Sequence, residues 1–171
     1  MAAIPNPDGT FQIVLSGVQR KLLAEVCTEL RAELEANSEN DVLRRLFPTA
    51  HPDDPDQQLF YAQMTRDDLA DRRIAALTTV IETAHDDELQ RAQIEQWMLA
   101  VNAVRLVLGT RLYVSEEDDL DDVDPDDPDH LARVVYEFLG MLLGALVYGV
   151  RLAGPEPDGD VPRPEQPTGD A

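Results

Sequence analysis

The sequence contains a single cysteine, Cys27, in 171 residues. One cysteine cannot form an internal disulfide, and it excludes any zinc site built from several cysteines. Basic residues are scarce too, with 14 Lys and Arg against 34 Asp and Glu, which gives a formal net charge of -20. Such a charge repels nucleic-acid phosphates and anionic membrane surfaces. We therefore expect direct DNA binding to be weak or absent, and we expect no membrane association.

The sequence also lacks the short motifs of common enzyme classes. It has no nucleophile elbow, phosphate-binding glycine loop, dinucleotide fingerprint or zinc-protease helix. His51, His85 and His130 stand apart, without the spacing of metal ligands. The paired carboxylates fall in acidic loops, away from apolar residues that would raise a pKa. These absences predict a non-enzymatic protein without a metal or cofactor.

The chain is long enough for one domain with a core. Its first residues lack the basic region and apolar run of a secretory signal, so we expect a cytoplasmic location. We predict a flexible N-terminus over residues 1–9, a helical domain over 10–153 and a disordered Pro, Gly and acidic tail over 154–171. Ten of the fifteen residues 115–129 are acidic, which predicts a solvated loop without the glycine and glutamate of a calcium-binding EF-hand.

Residues 92–114 have the strongest helical pattern of apolar residues. On a helix, one stripe would contain Ile94, Met98, Val101, Leu108 and Leu112, with Trp97 and Val104 widening it. We therefore predict an all-α fold, a compact multi-helix bundle arranged around this central helix.

Other segments show the start signals of further helices. Ser16 and Gln19 resemble a capping box for a helix reaching about residue 35, after a short strand or extended arm over residues 10–15. Asp41 can cap a short helical turn. We also predict a brief helix around residues 59–64, one opened by Thr65 that ends near residue 85, and a last helix over 131–152.

Four arginines give the sequence its candidate charged sites. Arg73 and Arg105 interrupt apolar helical stripes, where an unpaired guanidinium would cost several kcal/mol. One alternative is that each pairs with a carboxylate, for which the candidates are Asp67, Asp68, Asp71 and Glu137. Another is that the two arginines together bind a ligand. Arg105 can also extend along its stem and place its charge in solvent. Arg44 and Arg45 lie near an acidic loop at residues 51–56, and either pair with it or recognise an acidic partner.

Several short stretches are together similar to one known family. They are Leu43-Arg44-Arg45-Leu46-Phe47-Pro48, Asp67-Asp68-Leu69, Trp97, Asn102, Arg105-Leu106 and Leu108-Gly109-Thr110-Arg111-Leu112. Through these stretches the chain resembles an actinobacterial family that was first catalogued as domain of unknown function twenty-seventeen. The members of that family are now described as oxidative-stress transcriptional regulators. The similarity covers most of residues 11–152.

This resemblance implies an all-helical protein that controls transcription in a thiol-sensitive manner, with RNA polymerase or a sigma factor as its partner. Genes of the family often lie beside the gene of the proteolytic adaptor ClpS, so the alternative is an accessory of Clp-type proteolysis. The family uses a cysteine pair near the N-terminus, which this sequence lacks because Cys27 has no mate. The candidate interaction or buried-charge residues are Arg44, Arg45, Phe47, Arg73, Trp97, Asn102, Arg105 and Arg111.

Overall fold

The structure is a computed structural model that describes residues 1–36, 41–47, 55–112 and 128–155. For residues 41, 44, 45 and 55–66 it describes the backbone alone. The predicted polar break at 37–40, most of the loop at 51–56, most of the acidic segment at 115–129 and the tail from 156 onward lie outside the described residues.

Four helices and a small sheet form the described fold. The helices are α1 (Gly17–Glu35), α2 (Pro55–Thr83), α3 (Arg91–Arg111) and α4 (His130–Ala153), with a 3₁₀ helix at Asp41–Leu46. The strands are β1 (Ala2–Pro5), β2 (Phe11–Val14) and β3 (Glu88–Leu89). The predicted mostly helical fold is therefore confirmed.

Helix α3 is central, as its apolar pattern predicts. It packs against α1, α2, α4 and the 3₁₀ helix, and its Ile94, Trp97 and Val101 are fully buried. Helix α1 packs on α2, while β1 packs on α4 at the other side. The core thus runs through the whole stack, and every helix contributes buried side chains to it.

The sequence predicts a flexible N-terminus over residues 1–9. In the structure Ala2–Pro5 instead form the edge strand of a three-stranded antiparallel sheet. The strand order is β1-β2-β3, and Ala3 pairs with Ile13 across the first two strands. The sequence predicts at most one strand, over residues 10–15, so β1 and β3 correct it. Packing on α4 explains why β1 forms. Ala3 is buried, and a Cβ added at Gly149 of α4 would collide with the carbonyl oxygen of Ala3.

A tight turn joins β1 to β2. Asp8 accepts hydrogen bonds from the hydroxyl of Thr10 at 2.7 Å and from its backbone N–H at 3.1 Å. These bonds hold the pKa of Asp8 below its ordinary value. Gly9 has a φ of +89°, which a residue with a side chain rarely adopts. The turn therefore fixes the register that brings β1 onto α4.

The capping box of α1 forms as predicted. The side chain of Ser16 accepts from the backbone N–H of Gln19 at 3.3 Å, and the side chain of Gln19 accepts from the N–H of Ser16 at 2.9 Å. The buried face of α1 comprises Arg20, Leu23, Cys27, Leu30 and Leu34. The helical spacing predicts that Cys27 lies at the edge of the apolar stripe formed by Leu22, Leu23, Val26, Leu30 and Leu34. In the structure Cys27 is fully buried within the buried face.

Helix α2 is one continuous helix where the sequence predicts two. Thr65, the expected cap of the second, lies within it. No proline or glycine occurs between Pro55 and the end of the helix, so nothing in the chain forces a break. Thr and Asp favour helix starts but are tolerated inside helices, where their side chains can point outward.

Helix α4 also departs from its predicted face. The apolar spacing of this helix predicts an inward face that includes Leu131. Leu131 is instead 72% exposed, and Leu139 is fully buried. Gly140, expected on the side away from the core, faces α3. The uncharged run from 138 to 150 predicts that this helix is too short to cross a membrane. The whole of α4 is nevertheless long and apolar enough to do so, by length and composition only, and the core helix of a soluble protein can pass the same test.

A buried arginine that the sequence does not reveal, Arg20, joins the sheet to the helices. Its guanidinium donates to the carbonyl oxygens of Ala84 at 2.9 Å, Asp86 at 2.6 Å and Ile13 at 2.9 Å, and its Nε donates to the carbonyl of Leu15 at 3.3 Å. It also contacts the carboxylate of Asp87 at 2.9 Å, but that side chain is 91% exposed. The carbonyls are therefore the main partners of Arg20, since exposed ion pairs contribute little.

We predict that Arg20→Met lowers the free energy of unfolding by about 3–5 kcal/mol, because it leaves buried carbonyls without donors. Asp87→Asn should cost less than about 1 kcal/mol, because its carboxylate is screened by water. Urea unfolding of both variants measures this contrast. An equal loss in the two would show that the ion pair, rather than the carbonyl set, provides the stability.

Candidate functional site

Helices α3 and α4 meet through a reciprocal arrangement of large and small residues. On α3, Arg105 precedes Gly109 by one turn; on α4, Tyr136 precedes Gly140 by one turn. The Arg105 guanidinium lies against Gly140, where a Cβ would be 3.5 Å from its Nε, and the Tyr136 ring lies 3.2 Å from a Cβ built on Gly109. The two helices are therefore antiparallel here, and each glycine makes room for the large side chain of the other helix.

The charge of Arg105 is held by an aromatic ring. Its Cζ lies 4.8 Å from the centroid of Tyr136, and its Nη2 donates to the Tyr136 hydroxyl at 3.3 Å. Its Nε is buried, and no described residue accepts a hydrogen bond from it. This geometry is a cation–π contact in which part of the donor capacity of the guanidinium stays unused.

The expected ion pair of Arg105 does not form among the described residues. Glu137, the candidate on α4, directly follows Tyr136, and consecutive helical residues point about 100° apart. The helix therefore turns the ring toward Arg105 and the carboxylate away from it.

Arg73 shows the same preference for a ring. Its Cζ lies 5.7 Å from the centroid of Phe47, and its Nη1 donates to the carbonyl of Leu69 in its own helix at 3.1 Å. Burial lowers the pKa of Arg73 from its ordinary value. The described residues give it no carboxylate partner either, so its expected pairing with Asp67, Asp68 or Asp71 is not observed.

The remaining candidates do not converge on one site. Trp97 is fully buried and donates to the hydroxyl of Thr83 at 2.9 Å, which makes it a core residue. Asn102 and Arg111 are exposed on α3. The backbones of Arg44 and Arg45 lie in the 3₁₀ helix, and their side chains are outside the described residues.

Tyr136 and Gly140 are the residues of this site that sequence reasoning missed. The signal was a matched spacing, since an arginine and a tyrosine each precede a glycine by four residues on two predicted helices. Such a pattern becomes informative only when the two helices are known to pack together.

Cys27 has no environment that would activate a thiol. Its side chain is fully buried, and burial raises its pKa to about 12. The thiolate, which is the reactive form, is therefore suppressed. In the part of the chain that the structure describes, no group of three or more His, Cys, Asp and Glu could hold a metal ion.

We predict that Arg105→Ala lowers the free energy of unfolding by about 1–2 kcal/mol, because it removes a cation–π contact without stranding a buried acid. Arg105→Met, which keeps much of the apolar stem, should cost less. Urea unfolding at one protein concentration gives both values. A loss of about 3–5 kcal/mol for Arg105→Ala would instead reveal a buried carboxylate partner.

A second prediction concerns the pH dependence that Cys27 produces. The unfolded thiol ionises near its ordinary pKa of 9.0, whereas the folded thiol ionises at about 12. Between these values the unfolded chain binds fewer protons, so wild-type stability should fall with rising pH by up to about 1.4 kcal/mol per unit. Cys27→Ala should lack this contribution, and below pH 9 the difference between the two proteins should be constant.

Unfolding free energies of both proteins at pH 8 and about pH 10.5 measure this term, since all other titrating groups are shared. Parallel pH profiles for the two proteins would contradict the prediction and place the thiol in contact with solvent.

Comparison with known proteins identifies a family for the chain. A family model described as domain of unknown function (DUF2017) matches residues 1–150. No curated protein and no solved structure matches the chain. The matched residues include the sheet, α1 to α3 and the α4 residues that contact Arg105. The chain therefore belongs to the family defined by this domain of unknown function.

Proposed function

We propose that this protein is a non-enzymatic cytoplasmic regulator that acts by binding other proteins, with Arg105 as a contact residue. The observation that supports the proposal is the state of its guanidinium, which is held by the Tyr136 ring and has no carboxylate partner among the described residues. A protein partner that offers a carboxylate or carbonyl to the NH groups at the end of this guanidinium would add acceptors that an aromatic ring does not provide.

The net charge of the chain narrows the class of partner. A charge of -20 opposes direct binding to DNA and favours association with basic protein surfaces. Surfaces that bind DNA in the transcription machinery have this basic character. We therefore propose that the protein regulates transcription in a stress response through RNA polymerase or a sigma factor, as its resemblance to oxidative-stress regulators suggests.

The proposed regulation does not use an internal thiol switch. Cys27 is the only cysteine and is buried, so it can neither form an internal disulfide nor present a thiolate to an oxidant. A response to oxidative stress would then depend on the partner or on the amount of this protein.

Affinity capture from the native host tests the proposal with three forms of the full chain. Wild type and Arg72→Ala, a matched control that removes an exposed arginine from α2, should retain RNA polymerase and a sigma factor. Arg105→Ala should lose them at least about tenfold, because it removes a charged contact. Thermal melts of all three forms separate lost binding from lost folding.

Purified components then test whether the contact is direct. The isolated protein should bind the captured sigma factor or polymerase and should bind duplex DNA only weakly at physiological salt. Recovery of Clp subunits instead would favour the proteolytic accessory function. Equal capture by Arg105→Ala and wild type would remove Arg105 from the interface.

A further inference from the structure

Helix α4 has a second apolar face that points away from the core. Val134, Met141 and Tyr148 are spaced by seven residues and are 45%, 61% and 62% exposed. Glu137, Gly144 and Arg151 repeat with the same spacing. Together the six residues form one stripe with the alternating three and four residue spacing of a coiled-coil seam. We call this stripe the α4 seam.

The two charges of the α4 seam lack partners within the described chain. Neither Glu137 nor Arg151 forms an ion pair or a side-chain hydrogen bond with a described residue. They have opposite signs, and each lies seven residues from Gly144. A two-fold axis through Gly144 would therefore bring Glu137 of each copy beside Arg151 of the other.

We propose that two copies of this chain pair through the α4 seam, with their α4 helices antiparallel and Gly144 at the two-fold axis. Such an interface is self-complementary, as closed dimers require. A parallel arrangement would instead place like charges together, Glu137 on Glu137 and Arg151 on Arg151. The antiparallel arrangement forms two ion pairs and buries Met141 and Tyr148 of both copies.

The backbone of α4 also suits a close approach at this axis. No atom of the described residues lies within 4 Å of a Cβ built on Gly144, so the described fold leaves the space above it open. Glycine at the crossing point lets two helix backbones approach closely, and flanking Met141 and Tyr148 would pack against the opposing helix. About 19 residues of each helix, roughly 28 Å, overlap in this arrangement.

A membrane suits the α4 seam less well than a second copy does. The charge of -20 opposes anionic lipid, and insertion of α4 would remove Leu139, Leu142 and Leu146 from the core. An unrelated protein would have no reason to match the symmetric placement of Glu137 and Arg151. The α4 seam does not include Arg105, so the dimer and the Arg105 contact with a partner can each fail without the other.

Sedimentation velocity of the full chain over a range of concentrations tests the dimer. Wild type and Glu95→Arg, a matched charge reversal at an exposed position of α3, should dimerise equally. Glu137→Arg and Arg151→Glu should each weaken dimerisation at least about tenfold, because each places like charges together. The double variant, and an equimolar mixture of the two single variants, should restore it.

Gly144→Leu provides a second, independent variant. It should abolish the dimer by blocking the axis, while the melting temperature of the monomer stays equal or rises because leucine favours helix more than glycine does. A wild-type protein that stays monomeric at every concentration would overturn the proposal. So would a dimer that tolerates the single reversals, a double variant that remains monomeric, or a monomer that floats with phosphatidylcholine vesicles.

Discussion

The hydrogen bonds of Arg20 are the interaction on which the arrangement of the described chain depends. One guanidinium binds carbonyl oxygens at the end of β2 and in the segment that follows α2. That segment leads through β3 directly into α3, whose first turn is capped by Gln90 and Gln93. Arg20 therefore links the sheet, α1 and α2 and sets where the central helix begins. The main partners of Arg20 are neutral backbone carbonyls, so this link does not depend on any of the chain's many carboxylates.

Arg73 and Arg105, the two arginines that interrupt apolar helical stripes, follow a different rule, since both lie on aromatic rings. Arg73 lies over Phe47, and Arg105 lies over Tyr136. A ring stabilises a cation without neutralising it, whereas a carboxylate would cancel its charge. In a chain of net charge -20, such contacts preserve isolated positive groups near the surface. Because the Tyr136 ring leaves its charge in place, Arg105 is suited to contact with another protein.

Features of the fold that depend on local sequence could be predicted, and those that depend on distant contacts could not. The capping box at Ser16 is encoded within one turn and was predicted correctly. The predicted stripe of α3 was correct for Ile94, Trp97, Val101 and Val104, which are buried, whereas Met98 and Leu108 are only half-buried. Strand β1 forms because Ala3 packs against Gly149, nearly the whole chain away. The role of Tyr136 also depends on a distant contact, because its ring packs against Gly109 on another helix. The resemblance supplied the family but not the geometry of the site.

Tyr136, and no acid among the described residues, holds the charge of Arg105. A double-mutant cycle between Arg105→Ala and Tyr136→Leu, measured by urea unfolding at one protein concentration, tests it most directly. We expect a favourable coupling of about 0.5–2 kcal/mol, with little dependence on salt because the contact is partly buried. A coupling indistinguishable from zero, or a larger coupling between Arg105 and Glu137, would contradict it.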